Sequence, residues 1–110
     1  KPELLAKRII NGLNASHYFD IITGGDTFNY RKPDPRHLAN TILKTGINIE
    51  QAIMVGDSIN DIECAKSNNI PSIVVNFGYS KIPVANLNAD IIMSNYKNIY
   101  RHIKQINNEK

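Results

Sequence analysis

Two carboxylates spaced four residues apart, Asp57 and Asp61, are the side chains in this sequence best suited to chemistry. They follow a short apolar run, 52–55, and the flexible Gly56, a pattern typical of a buried parallel strand that turns into a helix. If that helix begins near Ser58, the two carboxylates lie about one turn apart and can face one hard cation through oxygen ligands. Mg²⁺ suits so sparse a set, because it keeps waters and leaves room for a phosphate oxygen.

The position of this pair in the chain also favours a ligand site. In open α/β sheets the carboxyl ends of the strands line a crevice where ligands bind, and Asp57 follows a predicted strand directly. The same spacing has a second interpretation, in which Asp57 caps the helix and Asp61 complements the helix dipole. Spacing alone does not choose between a metal pair and a helix cap.

A lysine in a proline-rich loop is the second group that could act in chemistry. The segment 31–35 reads Arg-Lys-Pro-Asp-Pro and leads into a predicted helix, so Lys32 is expected at the same sheet edge as Asp57. An ammonium group is a compact point charge that suits a phosphate or an ionised carboxylate, and the prolines restrict its loop. By itself, Lys32 can also be an ordinary solvated lysine beside a turn.

Helices and strands that could position these groups alternate along the chain. Apolar spacing and end signals predict four helices: from Pro2 to near Gly12, from Pro35 to near Gly46 with Asp34 as the N-cap, across Asp61–Ser67, and around Tyr96–Ile106. Short apolar runs predict four strands: Phe19–Thr23, Ile53–Val55, Ser72–Val75 and Asp90–Met93. This alternation predicts an α/β fold with a mainly parallel sheet.

Composition narrows the functional classes. The 110 residues suit one domain, 1–110, and 42% hydrophobic and 21% charged residues are ordinary for a globular chain. The net charge of +3 comes mostly from scattered basic residues, which argues against nucleic acid as a partner, and no run reaches membrane-spanning length. One cysteine, Cys64, is expected to be packed and inert, and we expect a cytoplasmic protein. The three histidines are expected at the surface or on helix faces: His17, His37 and His102.

Taken in order, Lys-Pro-x-Pro, a helix, an apolar strand and Gly-Asp-Ser-x-x-Asp resemble the haloacid dehalogenase superfamily of phosphatases. Five further segments resemble its phosphoglycolate phosphatase branch: 24–26, 61–66, 77–79, 82–84 and 87–90. The resemblance implies that Lys32 steadies the charges of a nucleophilic aspartate and of the substrate phosphate. It also implies that Asp57, with Asp61 in support, holds Mg²⁺, and that Tyr79 lines a substrate pocket.

Several parts of the superfamily's pattern do not occur in these 110 residues. There is no Asp-x-Asp-x-Thr motif, no phosphate-binding Ser or Thr motif after a second strand, and no helical cap domain. The resemblance therefore implies a Rossmann-like, incomplete core that lacks the first two strands and the cap. In the family's strand order, five-four-one-two-three, this leaves Phe19–Thr23 without a neighbour and exposes an edge of Ile53–Val55. We expect a longer chain, a strand-completing partner chain, a homo-oligomer or a rearranged sheet.

The resemblance implies a Mg²⁺-dependent phosphomonoester hydrolase that acts on a small phosphorylated metabolite and converts 2-phosphoglycolate to glycolate and phosphate. The alternative is a catalytically inactive fragment or assembly partner, because the nucleophile motif is missing. A receiver-like module phosphorylated on Asp57 fits less well, since receivers need an acidic cluster near their first strand and none occurs here.

Overall fold

Three short parallel strands form the sheet of this protein in a computed structural model, which describes residues 1–76 and 88–109. The strands are β1 (Met54–Gly56), β2 (Ser72–Val75) and β3 (Ile91–Met93), and they lie side by side in that order. Both neighbouring pairs are parallel, with Val55 opposite Ile73 and Ile73 opposite Ile91. The predicted α/β class with a parallel sheet is therefore confirmed.

The middle strand, β2, is the most deeply buried element, because all four of its residues are shielded from solvent. Its start is held from both sides. The Met54 N–H donates to the Pro71 carbonyl at 2.9 Å, and the Ser72 N–H donates to Asp90 Oδ2 at 2.8 Å. These bonds pair backbone groups that would otherwise be buried without a partner at the amino end of the strand.

Four α-helices flank the sheet: α1 (Glu3–Gly12), α2 (Pro35–Thr45), α3 (Ile59–Ser67) and α4 (Ile99–Glu109). The predicted ends of α2 are confirmed, since Asp34 Oδ1 accepts the Arg36 N–H at 2.9 Å and Gly46 ends the helix at φ 74°. Of the helices in the described part of the chain, none has the length and apolar character needed to span a bilayer.

Apolar side chains fill both faces of the sheet. On one face, α4 packs against β2 and β3 through a core of buried and partly buried residues: Ile73, Val75, Met93 and Ile106, with Ile53, Ile91, Ile99 and Ile103 beside them. On the other face, Ile62 of α3 packs against Val74, with Ala89 beside them. Alternation along β2 sends successive side chains to these two faces, as expected for a central strand.

The predicted strand Phe19–Thr23 does not form. Phe19 has extended dihedral angles, φ −121° and ψ 129°, but the segment pairs with no strand in the described residues and carries no strand assignment. The β-forming residues of this segment favour extended backbone dihedral angles. A strand also needs a hydrogen-bonded neighbour, and residue composition cannot supply one.

The loop that follows this segment pins the start of α1. The Glu3 N–H donates to Asp26 Oδ1 at 2.7 Å, and the Gly25 N–H donates to the Lys1 carbonyl at 2.6 Å. Gly24 approaches the backbone of Glu3 so closely that a Cβ at this position would overlap it. The segment 24–26 therefore anchors a helix that precedes it in sequence.

Apolar surface remains uncovered at one side of the molecule. None of the residues of α1 is buried, and Leu5, Ile9 and Leu13, which recur every four residues, are 46%, 40% and 72% exposed. Nearby in the fold, β1 has β2 on one side and no described strand on its other side. Because the Met54 N–H points to β2, the N–H and C=O of Val55 point to that open edge.

We expect this open edge to make the 110-residue chain self-associate, because an unpaired apolar strand edge is a template for pairing. Val55→Lys should shift the chain toward monomer in sedimentation velocity measurements over a wide concentration range. Leu43→Lys, which removes an exposed apolar side chain from α2, should leave association unchanged. A wild-type chain that is monomeric throughout and unfolds in one cooperative transition would contradict the expectation.

Candidate active site

Three pieces of chain bring the predicted site residues to one cleft at the carboxyl end of β1. Asp57 follows the strand directly, Asp61 lies in the first turn of α3, and Lys32 comes from the loop that leads into α2. The cleft has a volume of about 350 Å³. Its lining residues are Lys32, Met54, Val55, Gly56, Asp57, Asp61, Val75 and Tyr96.

The carboxylate of Asp61 has four donors around it. Its Oδ1 accepts from Lys32 Nζ at 2.7 Å. Its Oδ2 accepts from the Asp57 N–H at 3.1 Å, from the Ser58 N–H at 3.4 Å and from Ser58 Oγ at 3.3 Å. Ser58 and Asp61 form a capping box at the start of α3, so the helix-cap interpretation of this spacing is correct for Asp61, with Ser58 rather than Asp57 as the N-cap.

Gly56 makes room for the Asp61 side chain. A Cβ at this position would overlap Cβ, Cγ and Oδ2 of Asp61, so only a residue without a side chain lets α3 approach the strand end this closely. The glycine was expected to permit a tight exit from the strand. The structure adds that it also forms the floor beneath the buried carboxylate.

Lys32 reaches Asp61 across 29 residues of sequence. The lysine side chain is 45% exposed, whereas the Asp61 side chain is 10% exposed, so the pair is buried at its acidic end and open to solvent at its basic end. Lys32 also borders a second cavity of about 300 Å³, lined in addition by Lys1, Ala6, Thr23, Gly24, Gly25, His37, Leu38, Thr41 and Met54. The peptide bond between Lys32 and Pro33 is cis.

The carboxylates of Asp57 and Asp61 differ in their hydrogen bonding. Asp57 is half-buried at the cleft, and no residue in the ranges 1–76 and 88–109 donates a hydrogen bond to its side chain. Its backbone N–H is committed to Asp61 Oδ2, which fixes the turn that carries it. The Asp57 oxygens are therefore open to a ligand from the cleft.

The electrostatics of the site keep Asp61 ionised. Burial raises the pKa of this carboxyl, but the hydrogen bond and charge of Lys32 and the N–H donors of Asp57 and Ser58 outweigh burial, and the net pKa lies below its ordinary value of 3.8. One turn further along α3, desolvation raises the pKa of the Cys64 thiol, whose Sγ lies 3.3 Å from the Asp34 carbonyl. Cys64 is fully buried, in line with the inert thiol predicted from sequence.

The donor set fits a Mg²⁺ ion that takes one carboxylate from this part of the chain. Within the described residues, no three His, Cys, Asp or Glu side chains gather as a metal cage. Mg²⁺ commonly binds through one or two carboxylates with waters and substrate phosphate, and Asp57 offers one such carboxylate at the cleft. The assignment of Asp57 and Asp61 as metal ligands stays a prediction, and Tyr79 lies outside the described residues.

Two residues to which the sequence analysis gave no role at the site contribute to this region. His37 is buried, and its Nε2–H donates to the Gly24 carbonyl at 3.0 Å while its ring meets Phe28 edge-on, so it ties the loop before Lys32 to α2. Tyr96 lines the cleft from the short 3₁₀ helix Tyr96–Asn98, which follows β3. Neither residue lies in a motif: Tyr96 lines the cleft from a distant part of the chain, and His37 acts on the loop before Lys32 through a contact that is distant in sequence.

We predict that Gly56→Ala lowers the free energy of unfolding by about 1–3 kcal/mol, because the added methyl must displace the packed Asp61 side chain. Urea unfolding followed by circular dichroism measures this change. Gly12→Ala is the matched control: its Cβ meets no atom within 4 Å, so it should be neutral or stabilising by up to about 1 kcal/mol. Equal stability of the two variants would show that Gly56 has no packing role.

Asp61 should also shape the acid sensitivity of the fold. Because its pKa is depressed in the folded state, its stabilising contribution is present above the ordinary value of 3.8 and disappears as pH falls through the folded-state pKa. We therefore predict that the loss of unfolding free energy in Asp61→Asn, about 1–3 kcal/mol at neutral pH, shrinks as the pH is lowered below 4. Glu63→Gln, an exposed change on the same helix, should show no such pH-dependent difference from wild type.

The haloacid dehalogenase-like hydrolase family model matches residues 3–75 of this chain. This range includes Lys32, Asp57 and Asp61, together with α1 to α3 and the first two strands. It covers more than half of the 110 residues.

Curated relatives share the same segment. The chain is 46% identical over 96 residues to a phosphoglycolate phosphatase from Agrobacterium fabrum, and 41% identical over 96 residues to one from Mesorhizobium japonicum. Each match covers 87% of this chain, but only 41% and 42% of the respective relative. The chain thus spans about two fifths of the length of these proteins.

A solved structure has the same fold. A predicted phosphoglycolate phosphatase from Haemophilus somnus superposes with a TM-score of 0.86 at 29% identity, over 93% of this chain and 46% of that one. The family model and the sequence identity, together with the shared fold, establish that this chain belongs to the haloacid dehalogenase-like hydrolase family.

Proposed function

We propose that this chain carries the lysine and late metal-binding half of the active site of a Mg²⁺-dependent phosphomonoester hydrolase. The observation that carries the proposal is that the ammonium of Lys32 and the carboxylate of Asp57, which has no hydrogen-bond donor among the described residues, line one cleft on the carboxyl edge of a parallel sheet. A cation and a metal-binding oxygen side by side suit a phosphate group, which carries concentrated negative charge.

In this proposal Lys32 balances the charge of the substrate phosphate. Asp61 uses one of the three N–H donors of the ammonium, and the 45% exposure of the side chain leaves its remaining donors accessible to a ligand. A lysine held in place loses less freedom when it binds phosphate, so more of the interaction energy is available for catalysis.

Asp57 supplies a carboxylate oxygen for the metal ion, with Asp61 in support. When bound, Mg²⁺ would orient the phosphate and offset the charge that develops during phosphoryl transfer. The contribution of this chain is geometric: the turn that carries Asp57 is fixed by its N–H bond to Asp61 Oδ2, so its carboxylate has a defined position at the end of β1.

The names of the relatives support a small phosphorylated carboxylic acid as substrate. Both curated relatives are named phosphoglycolate phosphatase, and the chain is more than 40% identical to each over the matched segment. We therefore propose 2-phosphoglycolate, hydrolysed to glycolate and phosphate, as the substrate of the complete site.

A non-enzymatic role is the second candidate, and one observation favours it. These 110 residues contain no Asp-x-Asp-x-Thr motif, and the family resemblance places the attacking aspartate in that motif. A polypeptide of this sequence without a nucleophile would retain Mg²⁺ or phosphate affinity, or act as an assembly partner, and release no phosphate.

An activity assay separates the two. The 110-residue chain is mixed with the portion of the Agrobacterium fabrum relative that it does not match, and phosphate release from 2-phosphoglycolate is measured with Mg²⁺. We expect turnover from the mixture and from neither part alone. Asp57→Ala should lower kcat/KM at least about a thousandfold, since a metal ion supplies several kcal/mol. Lys32→Ala should lower it about 10²–10³-fold, as for other single charge-stabilising donors.

Glu63→Gln is the control, because Glu63 is exposed on α3 and does not line the cleft. It should leave kcat/KM within about twofold of wild type, as a surface change away from the site does. Wild-type-like turnover of Asp57→Ala would refute the metal assignment. A mixture that forms a complex but releases no phosphate would favour the assembly role.

A further inference from the structure

Both oxygens of Asp61 already accept hydrogen bonds from this chain itself. An ionised carboxylate offers about four lone-pair sites. Lys32 Nζ, the N–H groups of Asp57 and Ser58, and Ser58 Oγ supply four donors. Three of these donors reach Oδ2, so a metal ion at Oδ2 would have to displace at least one of them, and Oδ1 is shared with the Lys32 ammonium, whose charge repels a cation. The 10% exposure of the side chain also leaves little room for approach.

The bond to Asp61 is also what places Lys32. Among the described residues, the Lys32 ammonium pairs with Asp61 and with no other acidic group. A lysine has a long, flexible side chain, and this one is 45% exposed. Without the carboxylate, the ammonium would be free to swing between the cleft and solvent.

Asp61 acts on Asp57 through the backbone. Its Oδ2 holds two consecutive N–H groups, those of Asp57 and Ser58, at the point where the strand becomes a helix. Gly56 packs under the same oxygen, so the carboxylate and the turn fit together as one unit. The Asp57 carboxylate is left without a hydrogen-bond donor from the described residues and lines the cleft.

We propose that Asp61 is a positioning residue, which holds Lys32 at the cleft and fixes the turn of Asp57, and which keeps these partners when Mg²⁺ binds. This divides the two carboxylates of the motif: Asp57 meets the ion, and Asp61 acts through its neighbours. The inference rests on the proposed function only in taking Asp57 as a metal ligand.

Nuclear magnetic resonance of the lysine ammonium groups tests the proposal on the 110-residue chain. A hydrogen-bonded ammonium exchanges its protons slowly enough to give a ¹⁵Nζ signal, and loss of that signal in Lys32→Arg assigns it to Lys32. We expect the signal in wild type, in Asp57→Asn and in the control Glu63→Gln, and its loss in Asp61→Asn. A Lys32 signal that is absent from wild type or persists in Asp61→Asn overturns the proposal.

Calorimetric titration with Mg²⁺ alone gives the second readout. Asp57→Asn should abolish saturable binding, whereas Asp61→Asn should keep it with Kd raised about 10–100-fold, as for loss of an outer contact to a ligand. Loss of binding in Asp61→Asn equal to that in Asp57→Asn, with the fold intact by circular dichroism, overturns the proposal.

If Asp61→Asn fails to fold, the wild-type chain still tests the proposal through its Lys32 signal in the presence of Mg²⁺. At saturating Mg²⁺ the Lys32 signal should persist, because the carboxylate stays with the lysine. Its disappearance on Mg²⁺ addition would mean that Asp61 exchanges Lys32 for the ion, and would overturn the proposal. If wild type binds no Mg²⁺, the metal assignment of the proposed function fails separately, and the Lys32 signal in the variants still decides the role of Asp61.

Discussion

The carboxylate of Asp61 joins three parts of the chain that are separate in sequence: the loop of Lys32, the turn at Asp57 and Ser58, and α3. Low exposure strengthens these hydrogen bonds and makes an unmatched group there costly, so the four donors and the carboxylate depend on one another. The absence of a side chain at Gly56 is the steric condition for this arrangement. The geometry of the cleft therefore depends on one buried ionic group more than on the local spacing of its acids.

The sheet sets the second constraint on the site. Helices α3 and α4 cover its two faces, but β1 has a neighbour on one side only among the described strands, and the cleft lies at the end of this same strand. A second cavity meets the cleft at Lys32 and is bounded by α1, α2 and Thr23. The charged groups thus stand beside apolar surface that the described part of the chain leaves open, which is consistent with a chain that matches about two fifths of its relatives.

Most elements were predictable because their signals are local. Asp34 and Pro35 begin α2 and Gly46 ends it through contacts within a few residues, and the apolar run Ser72–Val75 is buried on both faces as its composition indicates. Phe19–Thr23 failed as a strand because pairing requires a neighbour from elsewhere in the chain. His37 lies on a helix, as one of the two expected positions, but its burial was not predictable because its partner is a loop carbonyl 13 residues away.

By itself, the sequence determined which groups could act: a lysine in a proline-rich loop and two acids at a strand end, in an order that indicated the family. It could not say which of Asp57 and Asp61 is held by hydrogen-bond donors, since spacing places both within one helical turn and suits a metal pair and a cap equally. Only the tertiary structure decided this. It brings Lys32 from 29 residues away to one oxygen of Asp61 and the backbone of Asp57 to the other, and a carboxylate with donors on both oxygens differs physically from one that has no donor among the described residues.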